Sequence, residues 1–271
     1  MNRAAINAAV TMGQLQQKLN TIANNLANAN TNGFKRRETT FANLLVQQIN
    51  NQPVAGREVG RQTPDGIRSG SGAAIAATTL RSELGAIKQT DRMLDVALTR
   101  EGLFFQVDHH GQVEYTRDGA FYLTPSENPN LLNIVASDGS FLLGQDGPIE
   151  IPADYRDIVI SDDGEITVRL QNDAVVNVGQ IQLVQVNRPQ LLRAVGNNRF
   201  TAPDPQTGIA LADVLEAVEG LPVFSQGSLE SANVDISREM TNLLETQRHY
   251  QFNARSLSIA DDMMGLVNQL R

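Results

Sequence analysis

The sequence predicts an α+β protein: N- and C-terminal helices pairing as a coiled-coil-like layer, with an all-β domain inserted between them. Three observations carry this expectation. Apolar residues recur at alternating spacings of three and four at both ends of the chain. The middle alternates apolar and polar residues between turns marked by Gly and Asp. Composition also changes sharply along the chain: the first fifty residues are rich in Asn, Gln and Ala, with no acidic residue before Glu38. The 271 residues suffice for one large domain or two small ones. The expected division is a helical assembly segment over 1–50, an extended connector over 51–92, a β domain over 93–222, and a C-terminal return and helix over 223–271.

In the first segment Ala5, Ala8, Met12, Leu15, Leu19, Ile22 and Leu26 form one stripe along a helix, the seam of a coiled coil. The helix should stop near Asn28–Gly33, because Asn-Ala-Asn-Thr-Asn-Gly is cap-and-turn chemistry, and Gly33 should supply a turn at positive φ. Pro53, Gly56, Gly60, Pro64, Gly66, Gly70 and Gly72 then interrupt both regular periods, which reads as a connector.

From about Leu94 to Val186 short strands are expected. Leu103, Phe105 and Val107 alternate, Asp108-His109-His110-Gly111 turns the chain, and Val113 and Tyr115 alternate again. Further turns are signalled at Asp118-Gly119, Asp138-Gly139, Asp146-Gly147-Pro148 and Asp162-Asp163-Gly164. The closing segment repeats the four–three spacing at Ile236, Met240, Leu243, Gln247, Tyr250, Ala254 and Leu257, with Asp235 or Ser237 as a cap. Gln247 stands inside this seam, where a polar residue fixes register. Ile259, Met263, Leu266 and Leu270 continue on a shifted face. A seam supplies only about two apolar residues per heptad, so the helices are expected to order fully only when packed on each other and on neighbouring subunits.

Composition excludes several function classes. A net charge of −8 makes the chain a poor non-specific partner for nucleic acid or anionic lipid. With no Cys there is no thiol nucleophile, disulfide or thiolate metal site, and 3 His leave little for a His-rich one. Apolar runs are only a handful of residues long, so membrane insertion is not expected, and the first residues lack the apolar stretch of a cleaved secretory signal. His109-His110 reads as a hairpin turn whose two rings point to opposite faces. Lys35-Arg36-Arg37 reads as a solvated face or an interface with acidic neighbours. No phosphate-binding Gly loop and no nucleophile–base constellation is present. Neither a catalytic residue, a metal ligand nor a cofactor is therefore nominated.

The run Asn24-Asn25-Leu26-Ala27-Asn28-Ala29-Asn30-Thr31-Asn32-Gly33-Phe34-Lys35 resembles the N-terminal signature of bacterial flagellar rod and hook proteins. Asp95-Val96-Ala97-Leu98 with Gly102-Leu103-Phe104 resembles that family's entry into its β domain, with Arg100 where Gly is usual and Leu103 where Phe is usual. Tyr115-Thr116-Arg117-Asp118-Gly119-Ala120-Phe121 and Leu143–Ile149 match it as well. Gly227-Ser228-Leu229-Glu230, Asn233-Val234-Asp235, Glu239-Met240, Gln247-Arg248, Tyr250 and Asn253-Ala254 resemble its C-terminal signature, with Ala232 where Ser is common. Length and connector are most similar to the distal rod members rather than the longer hook members, with a proximal rod or hook paralogue as the alternative.

The resemblance implies a non-enzymatic subunit of the flagellar drive shaft in the basal body, outside the cytoplasm. Its implied partners are further copies in a helical polymer, neighbouring rod and hook subunits, and the flagellar type III export apparatus. Stripe and resemblance together nominate an assembly interface: Met12, Leu15, Leu19, Ile22, Asn24, Asn25, Leu26, Asn28, Asn30, Thr31, Gly33, Phe34, Met240, Leu243, Gln247, Tyr250, Asn253, Leu257 and Met264. Two other classes fit the residues alone: a secreted β-domain binding module with coiled-coil termini, and a cell-wall hydrolase with two carboxylates facing one cleft.

Overall fold

The computed structural model describes residues 2–43, 46–49, 67–70, 73–204, 210–218 and 220–269. The chain forms two compact units, one from 1–24, 38–78 and 237–271, the other from 25–37 and 79–236. Pro53, Gly56, Gly60, Pro64, Gly66 and Gly72 of the expected connector, and Leu270 of the expected stripe, lie outside the described residues.

In the first unit, helix α1 spans Asn2–Ala27. Its expected stripe is its covered side: Ala8 and Ile22 are buried, and Ala5, Met12, Leu15 and Leu19 are half-buried. The helix does not continue toward residue 50. Strand Arg37–Asn43 pairs with Ala73–Leu80, and Val46–Ile49 pairs with Ile67–Gly70. The β-branched and aromatic run Thr39-Thr40-Phe41 favours this conformation over helix. These strands lie along α1, where the Gln14 side chain accepts the Ile75 amide at 2.8 Å and Lys18 Nζ sits 5.6 Å from the Phe41 ring centroid.

Helix α2 spans Ile236–Gln269. Its covered side is Glu239, Leu243, Thr246, Tyr250, Asn253, Leu257 and Ala260, again at alternating spacings of four and three. The expected stripe shares Leu243, Tyr250 and Leu257 with this side, but Ile236, Met240 and Gln247 are exposed. The difference has a physical cause. Apolar periodicity marks apolar side chains alone, whereas Thr246 is buried with its hydroxyl donating to the Asn242 carbonyl at 2.6 Å, which removes the cost of covering it.

The second unit is built on an eleven-stranded sheet. Its central strand, Leu103–His109, pairs with Gln112–Thr116 on one side and with Phe141–Gly144 and Leu183–Val186 on the other, all antiparallel. Both faces of that strand are covered. Leu103, Phe105 and Val107 enter the main core, and Phe104 enters a smaller one with Tyr115, Val184, Phe200 and Leu215. The sheet Tyr155–Ile160, Glu165–Leu170, Val175–Gln180 adds Ile158, Ile160, Ile166 and Val168 to the main core.

The expected turns stand at Asp138-Gly139, Asp146-Gly147 and Asp162-Asp163-Gly164. Asp118-Gly119 is different. It is no hairpin but a close approach, since a Cβ on Gly119 would lie 1.8 Å from the Val96 carbonyl oxygen. At His109-His110 the turn is present, but the rings do not diverge. His110 adopts φ +54°, which ends strand alternation and leaves the ring centroids 4.3 Å apart.

The returning chain then runs beside the entering one. Phe224–Gln226 pairs with Val96–Leu98, and Ser228–Glu230 pairs with Ile87–Gln89. This places the N-terminal loop, the strand entry and the C-terminal return at one end of the second unit.

Candidate functional site

Two features of the molecule stand apart from ordinary core and surface, one in each unit. In the second unit, residues 25–37 form a closed loop. Asn25, 1 % exposed, bonds the backbone of Arg37 in both directions: its Oδ1 accepts the Arg37 amide at 3.0 Å, and its Nδ2 donates to the Arg37 carbonyl at 2.9 Å. One side chain thereby does the work of a strand neighbour. Inside the loop, Thr31 bonds Asn28 through both its amide and its hydroxyl. Asn198 Nδ2 donates to the Asn32 carbonyl at 3.0 Å. Gly33 has φ +65°, and a Cβ there would stand 2.4 Å from the Arg117 carbonyl oxygen, so backbone and space both require glycine.

Beneath this loop lies a buried cluster of three charges. Glu230 Oε1 accepts from Lys35 Nζ at 2.5 Å and from the Gly85 amide at 2.7 Å, and its Oε2 accepts from Arg117 Nε at 2.6 Å. Arg117 spends its remaining donors on the carbonyls of Leu103, Leu98 and Arg100. Lys35 also donates to the Glu83 carbonyl at 2.7 Å. All three side chains are 1–2 % exposed. Burying ions costs several kcal/mol each unless their bonding capacity is filled, and here every partner of Glu230 is a cation or a fixed amide. Burial alone would raise the Glu230 carboxyl. The Arg117 charge and the bonds from Lys35 and Gly85 outweigh that and hold it below the usual carboxylate range. Lys35 is lowered as well, for a different reason: burial, then the charge of Arg117, push it down despite Glu230. Lys35 is thus no part of a solvated face, while Arg36 meets the exposed Glu83 at 3.3 Å.

The return segment holds the loop through backbone as well. The Gly33 amide donates to the Glu230 carbonyl at 2.8 Å, and the Arg36 amide to Asn233 Oδ1 at 2.7 Å. Asn233 Nδ2 in turn reaches the carbonyls of Arg81 and Glu83, each at 3.0 Å.

In the first unit, the feature is uncovered apolar surface. On α2, Leu244, Phe252, Ile259, Met263 and Leu266 are exposed, Phe252 by 71 %, as is Ile6 on α1. Beside them a groove of about 460 Å³ is lined by Ala5 of α1 and by Ala254, Leu257, Ser258, Asp261 and Met264 of α2. Exposed large side chains concentrated on one element mark an interaction surface.

The nominated residues fall into three groups. Asn25, Asn28, Thr31, Gly33 and Phe34 share the closed loop with Leu26, where Asn30 is exposed. Met12, Leu15, Leu19, Ile22, Leu243, Tyr250, Asn253 and Leu257 lie on covered helix sides. Asn24, Met240, Gln247 and Met264 are exposed. The periodicity overlooked Lys35, Arg117, Glu230 and Asn233 as one site. Each stands inside a separate run quoted above for its resemblance, and only the fold brings the runs together. Among the described residues no group of three His, Cys, Asp or Glu could hold a metal ion, and no helix is long and apolar enough to cross a membrane.

Three family matches fall on the stretches that hold Lys35, Arg117, Glu230 and Asn233. Residues 6–35 match the family described as flagella basal body rod protein, 97–168 the D1 domain of the flagellar hook protein FlgE/F/G family, and 225–270 the C-terminal domain of the flagellar basal body rod FlgEFG proteins. The chain is 39 % identical to the flagellar hook-basal body complex protein FlhP of Bacillus subtilis over the full length of both. It is 33 % identical to the flagellar basal-body rod protein FlgG of Borreliella burgdorferi, covering 100 % of this chain and 99 % of that one. With FlgG of Bacillus subtilis the identity is 31 % over 96 % of each.

Proposed function

The chain belongs to the flagellar basal-body rod and hook protein family, and from that membership we propose that it is a non-enzymatic structural subunit of the basal-body rod, carrying torque toward the hook. The observation that carries the reading is the uncovered apolar side of α2 in a helical unit whose own buried apolar side chains are few. Such a surface is covered when copies of the chain pack on one another. Contacts that repeat head to tail without closing give a helical filament, with the paired terminal helices as one of its layers. Export through the flagellar type III apparatus fits a subunit that must be delivered unfolded, and neighbouring rod and hook subunits are its expected contacts.

Within the family we favour a distal rod position, on the chain's end-to-end match to FlgG proteins. A rod or hook-basal body paralogue is the second reading, supported by the higher identity to FlhP than to FlgG of the same organism, 39 % against 31 %. Electron microscopy of basal bodies from a deletion strain, with and without complementation, tests both. A truncated rod without a hook is expected, and the point of truncation separates the positions. Intact basal bodies would overturn the rod assignment.

A further inference from the structure

We propose that residues 228–233 are a clasp that must dock for the 25–37 loop to be held, with Glu230 as its indispensable charge and Lys35 as a dispensable one. The coupling is visible in what the last part of the loop bonds. Gly33 and Arg36 donate their amides to Glu230 and Asn233, and Lys35 ends on the Glu230 carboxylate. The stretch before the strand entry is tied to the same segment, since Gly85 donates to Glu230 and Asn233 donates to the carbonyls of Arg81 and Glu83. Segments distant in sequence thus share one short strip of the return.

Charge counting gives the asymmetry. One buried carboxylate faces two buried cations, so removing Glu230 leaves Lys35 and Arg117 without a buried counter-charge, with only the field of the exposed Glu101 acting on them. Removing Lys35 leaves Arg117 and Glu230 as a one-to-one pair, with Arg117 still bonded to three carbonyls. In this design residues 33–36 of the loop are held only when the C-terminal return is in place. The subunit therefore completes its N-terminal junction only once nearly the whole chain is available.

The test is hydrogen exchange on the full chain at neutral pH, reading the amides of Gly33, Arg36 and Gly85. Glu230→Gln is expected to speed their exchange by about tenfold or more, while amides of Glu165–Leu170 change little. Lys35→Met should leave Gly33 and Gly85 protected. Asn233→Ala, which creates no buried charge, should release Arg36 and serves if Glu230→Gln does not fold. Equal effects of Glu230→Gln and Lys35→Met would overturn the proposal, as would unchanged protection of Arg36 in Asn233→Ala. Loss of protection spread evenly over the whole β unit in Asn233→Ala would also overturn it, because the segment would then be general core.

Discussion

At the scale of single residues, Gly33 and Glu230 govern the junction in different ways. A side chain at Gly33 meets two penalties, a left-handed φ of +65° and the Arg117 backbone at 2.4 Å. Gly33→Val is therefore expected to destabilise the β unit by about 2–4 kcal/mol in urea unfolding. A loss below about 0.5 kcal/mol, the range of ordinary surface changes, would mean the loop yields freely. Glu230 makes stability depend on pH. Its folded carboxyl lies below its ordinary value of 4.5, so the stability it contributes is full above that value and is lost as pH falls through the lowered one. Asp118 opposes this, because burial raises its carboxyl above 3.8 and protonation relieves the strain. Lys35 acts at the alkaline end. Its ammonium is pushed below 10.5, so the folded state gains as pH rises through the lowered value toward 10.5. Urea midpoints measured across pH should fall in acid, and Lys35→Met should remove the Lys35 gain at alkaline pH and, because Lys35 helps hold the Glu230 carboxyl down, also weaken the acid loss.

At the scale of elements, α2 separates two kinds of surface that its sequence did not. Met240 is 44 % exposed and Ala260 is 5 % exposed. Met240→Asp is expected to leave helix content and melting temperature of the isolated subunit nearly unchanged while blocking polymerisation, because its charge would be buried only against another copy. Ala260→Asp should instead lower subunit stability by about 1–3 kcal/mol. Circular dichroism and sedimentation of the two variants check this, and normal assembly of Met240→Asp would remove that side from the interface. The contrast explains what was legible. On α1, Ala8, Met12, Leu15, Leu19 and Ile22 are apolar on the covered side, so period and burial agree, and the Asn-rich run stops the helix where expected. On α2 the covered side includes Glu239, Thr246 and Asn253, so apolar period and burial diverge. The strands from 37 to 49 were hidden for another reason: their pairing partners, Ile67–Gly70 and Ala73–Leu80, stand far along the chain, beyond the reach of local pattern.

At the scale of the whole molecule, the two units differ in how much of their order they generate alone. The β unit has two apolar clusters with a sheet strand buried on both faces, and its alternating pattern and its turns, Asp118-Gly119 excepted, are readable residue by residue. Its charged junction is not. Lys35, Arg117 and Glu230 lie in runs separated by tens of residues, and charge in a sequence signals solvent unless a partner is known. In the helical unit the buried apolar side chains are small or few, Ala8, Ile22 and Ala260 among the described residues, while Phe252, Ile259 and Leu266 face outward. Ordering a residue costs about 1–2 kcal/mol, which the burial of one seam side chain offsets for only one or two residues. The helices should therefore hold weakly in the isolated subunit and firmly in the polymer. Hydrogen exchange on the subunit should show amides of α1 and α2 exchanging faster than those of Leu103–His109 and Glu165–Leu170. Polymerisation should slow the helices selectively and leave the strands nearly unchanged. Removing 1–26 or 240–271 should accordingly abolish polymerisation. If the helices of the isolated subunit were already protected as strongly as the central strands, the apolar side of α2 would not be needed for their order, and the assembly role assigned to it would fall.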